Sequence, residues 1–86
     1  MGVAKLTLLS RAYCHLCDEM QAALAPLAAR YGAAVEVIDV DSDAAIEARY
    51  GDLVPVLLAG TPPDGIELCH YRLDVAAVTR ALSAAG

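Results

Sequence analysis

Two cysteines separated by two residues are the side chains of this sequence best suited to chemistry. Cys14 and Cys17 lie in the segment Cys-His-Leu-Cys, between a short apolar run and a stretch with helical periodicity. The start of a helix presents unpaired N–H groups and the positive end of the helix dipole, and both favour a thiolate over a thiol. We therefore predict that Cys14, the more exposed residue, attacks a disulfide and that Cys17 resolves the mixed disulfide.

Three other interpretations of this pair stay open. A structural disulfide here closes a loop of only four residues, which stabilises by about 2 kcal/mol, against about 4 kcal/mol for a bridge from Cys17 to Cys69. A metal site could add Cys69 or His70 to this pair. These two residues are neighbours on a strand and point to opposite faces, so they cannot both converge on one ion. The two thiols could also be reduced and inert. A C-x-x-C motif near a strand–helix–strand pattern favours dithiol redox chemistry over these three.

The residues around the motif have both functional and plain structural interpretations. Tyr13 could line a substrate groove or only cover the helix end. His15 could hydrogen-bond the thiolate or simply face solvent. Arg11 adds a positive charge that favours the thiolate, whereas Asp18 and Glu19 oppose it. We carry Tyr13 and His15 forward as candidate substrate-binding residues.

Pro55 is the second feature with chemical significance. Proline removes a donor from a sheet ladder, so it belongs at an edge, at a bulge or at the start of a strand. A cis bond between Val54 and Pro55 would expose the Val54 backbone beside the cysteines, where an extended substrate could pair with it. A trans proline that merely opens a strand is the alternative.

The apolar pattern predicts four strands that could position these residues. The predicted strands are Lys5–Leu9, Val35–Val40, Val54–Ala59 and Ile66–Tyr71. The third and fourth are joined by a turn at Thr61–Gly65, which indicates an antiparallel hairpin. The first two flank a helix, so they should be parallel with a right-handed crossover.

Three helices are predicted between and after these strands. The first ends at Gly32, contains Pro26 and carries an apolar stripe of Leu16, Met20, Ala23, Leu24, Leu27 and Tyr31. The second covers Ile46–Tyr50, ends at Gly51 and has the N-cap candidates Asp41, Ser42 and Asp43. The third follows Asp74 and buries Val75, Val78 and Leu82. The result is an α/β fold of one domain over residues 1–86, with helices on both faces of a mixed sheet.

Composition and charge narrow the function classes. The chain has a net charge of −5 and no run of Lys or Arg, which argues against nucleic acid binding. No apolar stretch approaches the roughly 20 residues of a membrane helix, and the segment from Met1 to Leu9 lacks a cleavage signature. An odd count of three cysteines indicates a reducing compartment, for which we expect the cytoplasm. We expect Cys69 to be a small buried hydrophobic residue and the protein to be a monomer.

The sequence resembles a glutaredoxin-like protein of the thioredoxin superfamily over essentially its whole length. The resemblance lies in the opening Ser-Arg-Ala-Tyr-Cys-His-Leu-Cys, the Val-Pro-Val segment and the closing hairpin and helix. It implies a thioredoxin-like (glutaredoxin-type) four-stranded mixed sheet flanked by three helices, with the strand order second, first, third, fourth. It also implies a cis Pro55 and a thiol–disulfide oxidoreductase that acts on protein or mixed disulfides through Cys14 and Cys17 and is recharged by a reductase.

The resemblance also bears on glutathione. A basic residue three before the first cysteine, matched here by Arg11, helps hold a glutathione carboxylate in that family, and the Val54 backbone would hold its cysteine amide. The chain departs from the family in two places. The first is the His15-Leu16 pair between the cysteines. The second is the segment His70-Tyr71-Arg72-Leu73, which stands where the family has a Gly-Gly pair that receives glutathione. We therefore expect no tightly bound cofactor, weak glutathione binding and recycling by a dithiol reductase. The rival hypothesis is a binding or redox-sensing module without turnover, whose cysteines could hold metal.

Overall fold

The computed structural model describes residues 5–83. These residues form the strands β1 (Lys5–Ser10), β2 (Ala34–Asp39), β3 (Val56–Ala59) and β4 (Ile66–His70) and the helices α1 (His15–Tyr31), α2 (Ala44–Tyr50) and α3 (Val75–Ser83). A 3-10 turn, Val40–Ser42, lies between β2 and α2. Residues 1–4, the first part of the N-terminal segment discussed above, lie outside the described residues.

The four strands form one mixed sheet in the order β2-β1-β3-β4. Strand β1 is parallel to β2, with Ser10 opposite Asp39, and antiparallel to β3, with Leu9 opposite Val56. Strands β3 and β4 are antiparallel, with an irregularity between Leu57 and Leu58. This topology confirms the predicted thioredoxin-like fold class and the expected strand order.

Strand β1 lies at the centre of the core because its apolar residues alternate between the two faces of the sheet. Leu6 and Leu8 pack on the face that α1 and α3 cover, whereas Leu9 packs on the opposite face with Val40 and Tyr50. The strand is fully buried from Leu6 to Leu9. Thr7, between them, satisfies its hydroxyl by donating to the Gly60 carbonyl at 2.7 Å.

Helix α1 packs on a stripe that differs from the predicted one. Its buried residues are Cys17, Met20, Leu24 and Ala28. The predicted stripe was wrong at Leu16 and Ala23, which are exposed. Cys17 and Ala28 are buried instead, while Leu27 and Tyr31 of the predicted stripe pack against the core. Pro26 lies on the solvent side of a continuous helix, and Gly32 ends that helix with a φ of 66°.

Five strand ends differ from the prediction by one or two residues. Strand β1 continues to Ser10 and β2 begins at Ala34, and the other three differences have local causes. Strand β2 ends at Asp39 and Val40 leaves the sheet, because the Asp39 carboxylate accepts the Asp41 N–H at 2.9 Å and turns the chain. Strand β3 starts at Val56, since Pro55 has no N–H to give to a ladder. Strand β4 ends before Tyr71, whose φ of 64° is not a strand conformation.

Helices α2 and α3 begin at aspartate caps. The Asp43 carboxylate accepts the N–H groups of Ala45 and Ile46 at 2.9 and 3.2 Å, and Asp74 accepts that of Ala77 at 3.0 Å. The prediction that Val75 faces the core was wrong, since this side chain is 55% exposed. Val75 shares a helical face with the buried residues Val78 and Leu82. It is the first residue of α3, so no earlier turn of the helix shields its side chain from solvent.

None of the helices within residues 5–83 is long and apolar enough to cross a membrane.

We predict that Leu24→Ala lowers the free energy of unfolding by about 2–5 kcal/mol, because Leu24 is 1% exposed and its loss leaves a cavity between α1 and the sheet. Val75→Ala is the matched control and should change stability by about 0.5 kcal/mol or less. Denaturant titration of both oxidised variants measures the difference. Equal losses in the two variants would contradict the packing described here.

Candidate redox site

Cys14 and Cys17 form a disulfide at the start of α1, with their Cα atoms 5.2 Å apart. Cys14 is the N-cap residue, and its sulfur accepts the Cys17 N–H at 3.2 Å. Cys14 is half-buried and Cys17 is 2% exposed. The two sulfurs therefore differ in access, and the outer one has a backbone donor directed at it.

The turn that leads into the motif exposes Tyr13. This residue has a φ of 59°, in the left-handed region that residues with a Cβ seldom adopt. Its side chain is fully exposed at 107%. A ring so exposed covers no part of the helix end, so the covering interpretation is wrong; the role of Tyr13 toward a substrate stays a prediction.

His15, between the cysteines, faces solvent. Its side chain is 90% exposed, and its Nε2 lies 3.7 Å from Glu19 Oε1, one helical turn along α1. This geometry pairs His15 with a carboxylate on the helix surface and agrees with the plain interpretation of the residue. Its role toward a substrate stays a prediction.

Arg11 joins three segments at the same edge of the sheet. Its Nε and Nη2 donate to the two carboxylate oxygens of Asp41 at 3.1 and 3.3 Å, and its Nη1 donates to the Gly51 carbonyl at 3.2 Å. Only glycine fits at position 51, since a Cβ there would lie 2.6 Å from the Glu47 carbonyl oxygen. Arg11 thus has partners of its own, and a substrate carboxylate would have to compete with them.

The segment before β3 lies at this edge as well. The Val54–Pro55 peptide bond is cis. Pro55 is buried, and its carbonyl accepts the Tyr71 N–H at 2.9 Å. Val54 is half-buried against the core cluster of Leu9 and Tyr50 and precedes the hydrogen-bonded ladder of β3.

A shallow groove of about 170 Å³ separates α1 from the segment after β4. It is lined by Leu16, Glu19, Met20, Ala23, Tyr71, Arg72 and Leu73. The Tyr71 hydroxyl donates to the Asp52 carbonyl at 2.9 Å, which ties one wall of the groove to the segment before Pro55. The sequence analysis assigned Leu16 to the core and so missed this wall of the groove. Helical periodicity shows which residues share a face of α1, but it does not show which part of that face other segments cover.

The chain matches the family described as Glutaredoxin-like domain (DUF836) over residues 5–83. It belongs to this family. No curated protein matched the sequence.

Three solved structures are similar to this glutaredoxin-like domain. The protein Ne2328 from Nitrosomonas europaea is 40% identical, with a TM-score of 0.80 and coverage of 92% of this chain and 91% of that one. A structural genomics target protein from X. campestris is 43% identical, with a TM-score of 0.66 and coverage of 94% and 99%. The N21Q mutant thioredoxin from Halobacterium salinarum is 26% identical, with a TM-score of 0.68 and coverage of 93% and 72%. The thioredoxin fold and the Cys14–Cys17 disulfide together support a redox function.

Cys69 lies apart from this pair in the glutaredoxin-like domain. It is a free, half-buried thiol on β4 and packs against the core cluster under α1 and α3. Burial raises its pKa, as do the carboxylates of Asp74 and Glu67, while a hydrogen bond from the Asp74 backbone lowers it. Within residues 5–83 no three His, Cys, Asp or Glu side chains converge in an arrangement that could hold a metal ion.

We predict that Cys69 reacts slowly with iodoacetamide until the pH exceeds its ordinary pKa of 9.0, because the thiolate is the nucleophile and the folded protein favours the thiol. The measurement uses the Cys14→Ser/Cys17→Ser double variant, in which Cys69 is the one remaining cysteine. The same variant in guanidinium chloride is the control and should show an ordinary profile. A folded profile at or below the unfolded one would refute the assignment.

Proposed function

We propose that this glutaredoxin-like domain is a thiol–disulfide oxidoreductase that reduces protein or mixed disulfides through Cys14 and Cys17. One observation carries the proposal. The sulfur of Cys14, the accessible N-cap residue, accepts the Cys17 N–H at 3.2 Å, and Cys17 itself is buried one turn further along the helix. The donor stabilises negative charge on the attacking sulfur. The burial of Cys17 restricts its attack to a sulfur already bound to Cys14.

The reaction proceeds in two exchanges. The Cys14 thiolate attacks one sulfur of the substrate disulfide, forms a mixed disulfide and releases the first substrate thiolate, which takes a proton from solvent. The Cys17 thiolate then attacks Cys14, forms the Cys14–Cys17 bond and releases the second substrate thiolate. The substrate gains two electrons and the enzyme dithiol loses them. A reductase dithiol reverses these steps on the enzyme and restores it.

The surroundings of the disulfide favour an extended protein segment as substrate. Val54 precedes the β3 ladder beside Pro55, so its backbone groups are candidates for pairing with a substrate strand. Tyr13, fully exposed next to Cys14, offers an aromatic contact to the same segment. We infer that the protein acts as a monomer in a reducing compartment, the cytoplasm, with disulfide-bearing proteins and a reductase as partners, and that neither nucleic acid nor a membrane takes part.

We predict that Cys14→Ser abolishes reduction of insulin and of hydroxyethyl disulfide, because it removes the attacking sulfur. Cys17→Ser should accumulate a mixed disulfide on Cys14, visible by mass spectrometry, because the resolving step is lost. Cys69→Ser is the matched control and should turn over like the unmodified protein.

The order of alkylation gives a second measurement of these roles. In the reduced protein Cys14 should be modified before Cys17, which is 2% exposed. Faster modification of Cys17 would reverse the assignment. A complete absence of turnover in the unmodified protein would favour the binding or sensing module.

We predict weak, non-saturating binding of glutathione and faster recycling by a thioredoxin reductase system than by glutathione. Tyr71 has the left-handed φ of 64° that glycine tolerates, and its side chain stands where a glycine would let a ligand approach the backbone. Titration of Cys17→Ser with glutathione, and coupled assays with each reducing system, measure the two preferences.

The double variant Tyr71→Gly/Arg72→Gly is the comparison for this prediction, and it should bind glutathione more tightly. Tight, saturable binding by Cys17→Ser with efficient glutathione-driven turnover would show that these two side chains do not limit access.

A further inference from the structure

The guanidinium of Arg11 is already bound to a carboxylate of the same chain. Nε and Nη2 each donate to one oxygen of Asp41, at 3.1 and 3.3 Å, which is the forked geometry by which arginine holds a carboxylate. A third donor, Nη1, is engaged by the Gly51 carbonyl. Three of the five guanidinium N–H donors are therefore engaged, and the Nε–Nη2 fork already holds a carboxylate.

Asp41 is held in position to do this by its own backbone. Its N–H donates to the Asp39 carboxylate at 2.9 Å, and the Ser42 hydroxyl donates to the Asp39 carbonyl at 2.6 Å. Both bonds fix the 3-10 turn that follows β2. Because β2 runs parallel to β1, this turn lies at the same edge of the sheet as Arg11. An internal carboxylate fixed in this way competes without losing the translational freedom that a free ligand must lose.

We propose that Asp41 is a specificity-determining residue that competes with substrate carboxylates for Arg11. The inference rests on the proposed oxidoreductase function and adds a substrate class to it. Small disulfides that carry a free carboxylate on a residue neighbouring the cysteine, such as glutathione mixed disulfides with their terminal glycine carboxylate, are disfavoured. Disulfides within protein segments, which need no carboxylate at Arg11, are not affected by the competition.

The strength of this competition depends on the ionic strength, because the Arg11–Asp41 ion pair is exposed to solvent. The Arg11 and Asp41 side chains are 36% and 52% exposed, and exposed pairs are weak and screened by salt. Asp41 therefore lowers the affinity of a competing carboxylate instead of excluding it. Its effect should be largest at low ionic strength.

The test measures binding of S-methylglutathione, which has the carboxylates of glutathione but no free thiol, by calorimetry and by NMR titration. Asp41→Asn should bind it about two- to fivefold more tightly than the unmodified protein at low salt. The gain should shrink at high salt. Asp41→Glu keeps the charge and should keep the low affinity.

Two controls separate this effect from a general change of charge. Asp64→Asn removes one negative charge from the turn between β3 and β4 and should leave the affinity unchanged. Arg11→Met combined with Asp41→Asn should lose the gain. NMR titration follows the folded protein directly, so partial unfolding of a variant does not hide the result.

Three results would overturn the proposal: no detectable binding to Asp41→Asn, an affinity equal to that of the unmodified protein, or a gain that persists without Arg11. Reduction of insulin by the unmodified protein is measured separately. Its failure would overturn the oxidoreductase function and would leave the binding result standing.

Discussion

Strand β1 is buried on both faces of the sheet from Leu6 to Leu9, and this burial requires a covering layer on each side. Helices α1 and α3 supply one layer, and α2 with the 3-10 turn supplies the other. Because α1 follows β1 directly and must return across the sheet to begin β2, its first turn starts at the end of the buried strand. Cys14 therefore lies where the chain leaves the buried strand β1 and begins the helix that covers it.

The direction of the strands brings three separate segments to that same edge. Strands β1 and β2 are parallel, so their carboxyl ends adjoin, and β3 is antiparallel to β1, so it starts there. Residues 10–14, 40–43 and 51–55 consequently lie at the same edge of the sheet. Arg11 connects them through Asp41 and Gly51. A single side chain therefore links the loop that carries Cys14 to the loop that carries Pro55.

Local patterns were sufficient for the order of the elements, the parallel first pair of strands, the closing hairpin and the place of the cysteines at a helix start, whereas the strand order came from the family resemblance. They failed where a residue's surroundings come from distant parts of the chain. Leu16 and Val75 share helical faces with core residues, yet no element covers them. Asp41 was assigned only as a cap candidate, because its partner is 30 positions away along the chain and no periodicity encodes such a pair. The exposure of Tyr13 likewise depends on a backbone conformation that its residue type disfavours.

The burial of Cys17, which the predicted stripe did not include, also explains how one helix creates two different cysteines. Residues three apart in a helix lie on neighbouring parts of its surface, so an inward-facing Cys17 places the N-cap sulfur of Cys14 at the margin of the same face. The burial of Cys17 along with Met20 and Leu24 therefore does more than stabilise the fold. It leaves the Cys14 sulfur the more accessible of the two, and the proposed order of thiol–disulfide exchange rests on that difference in access.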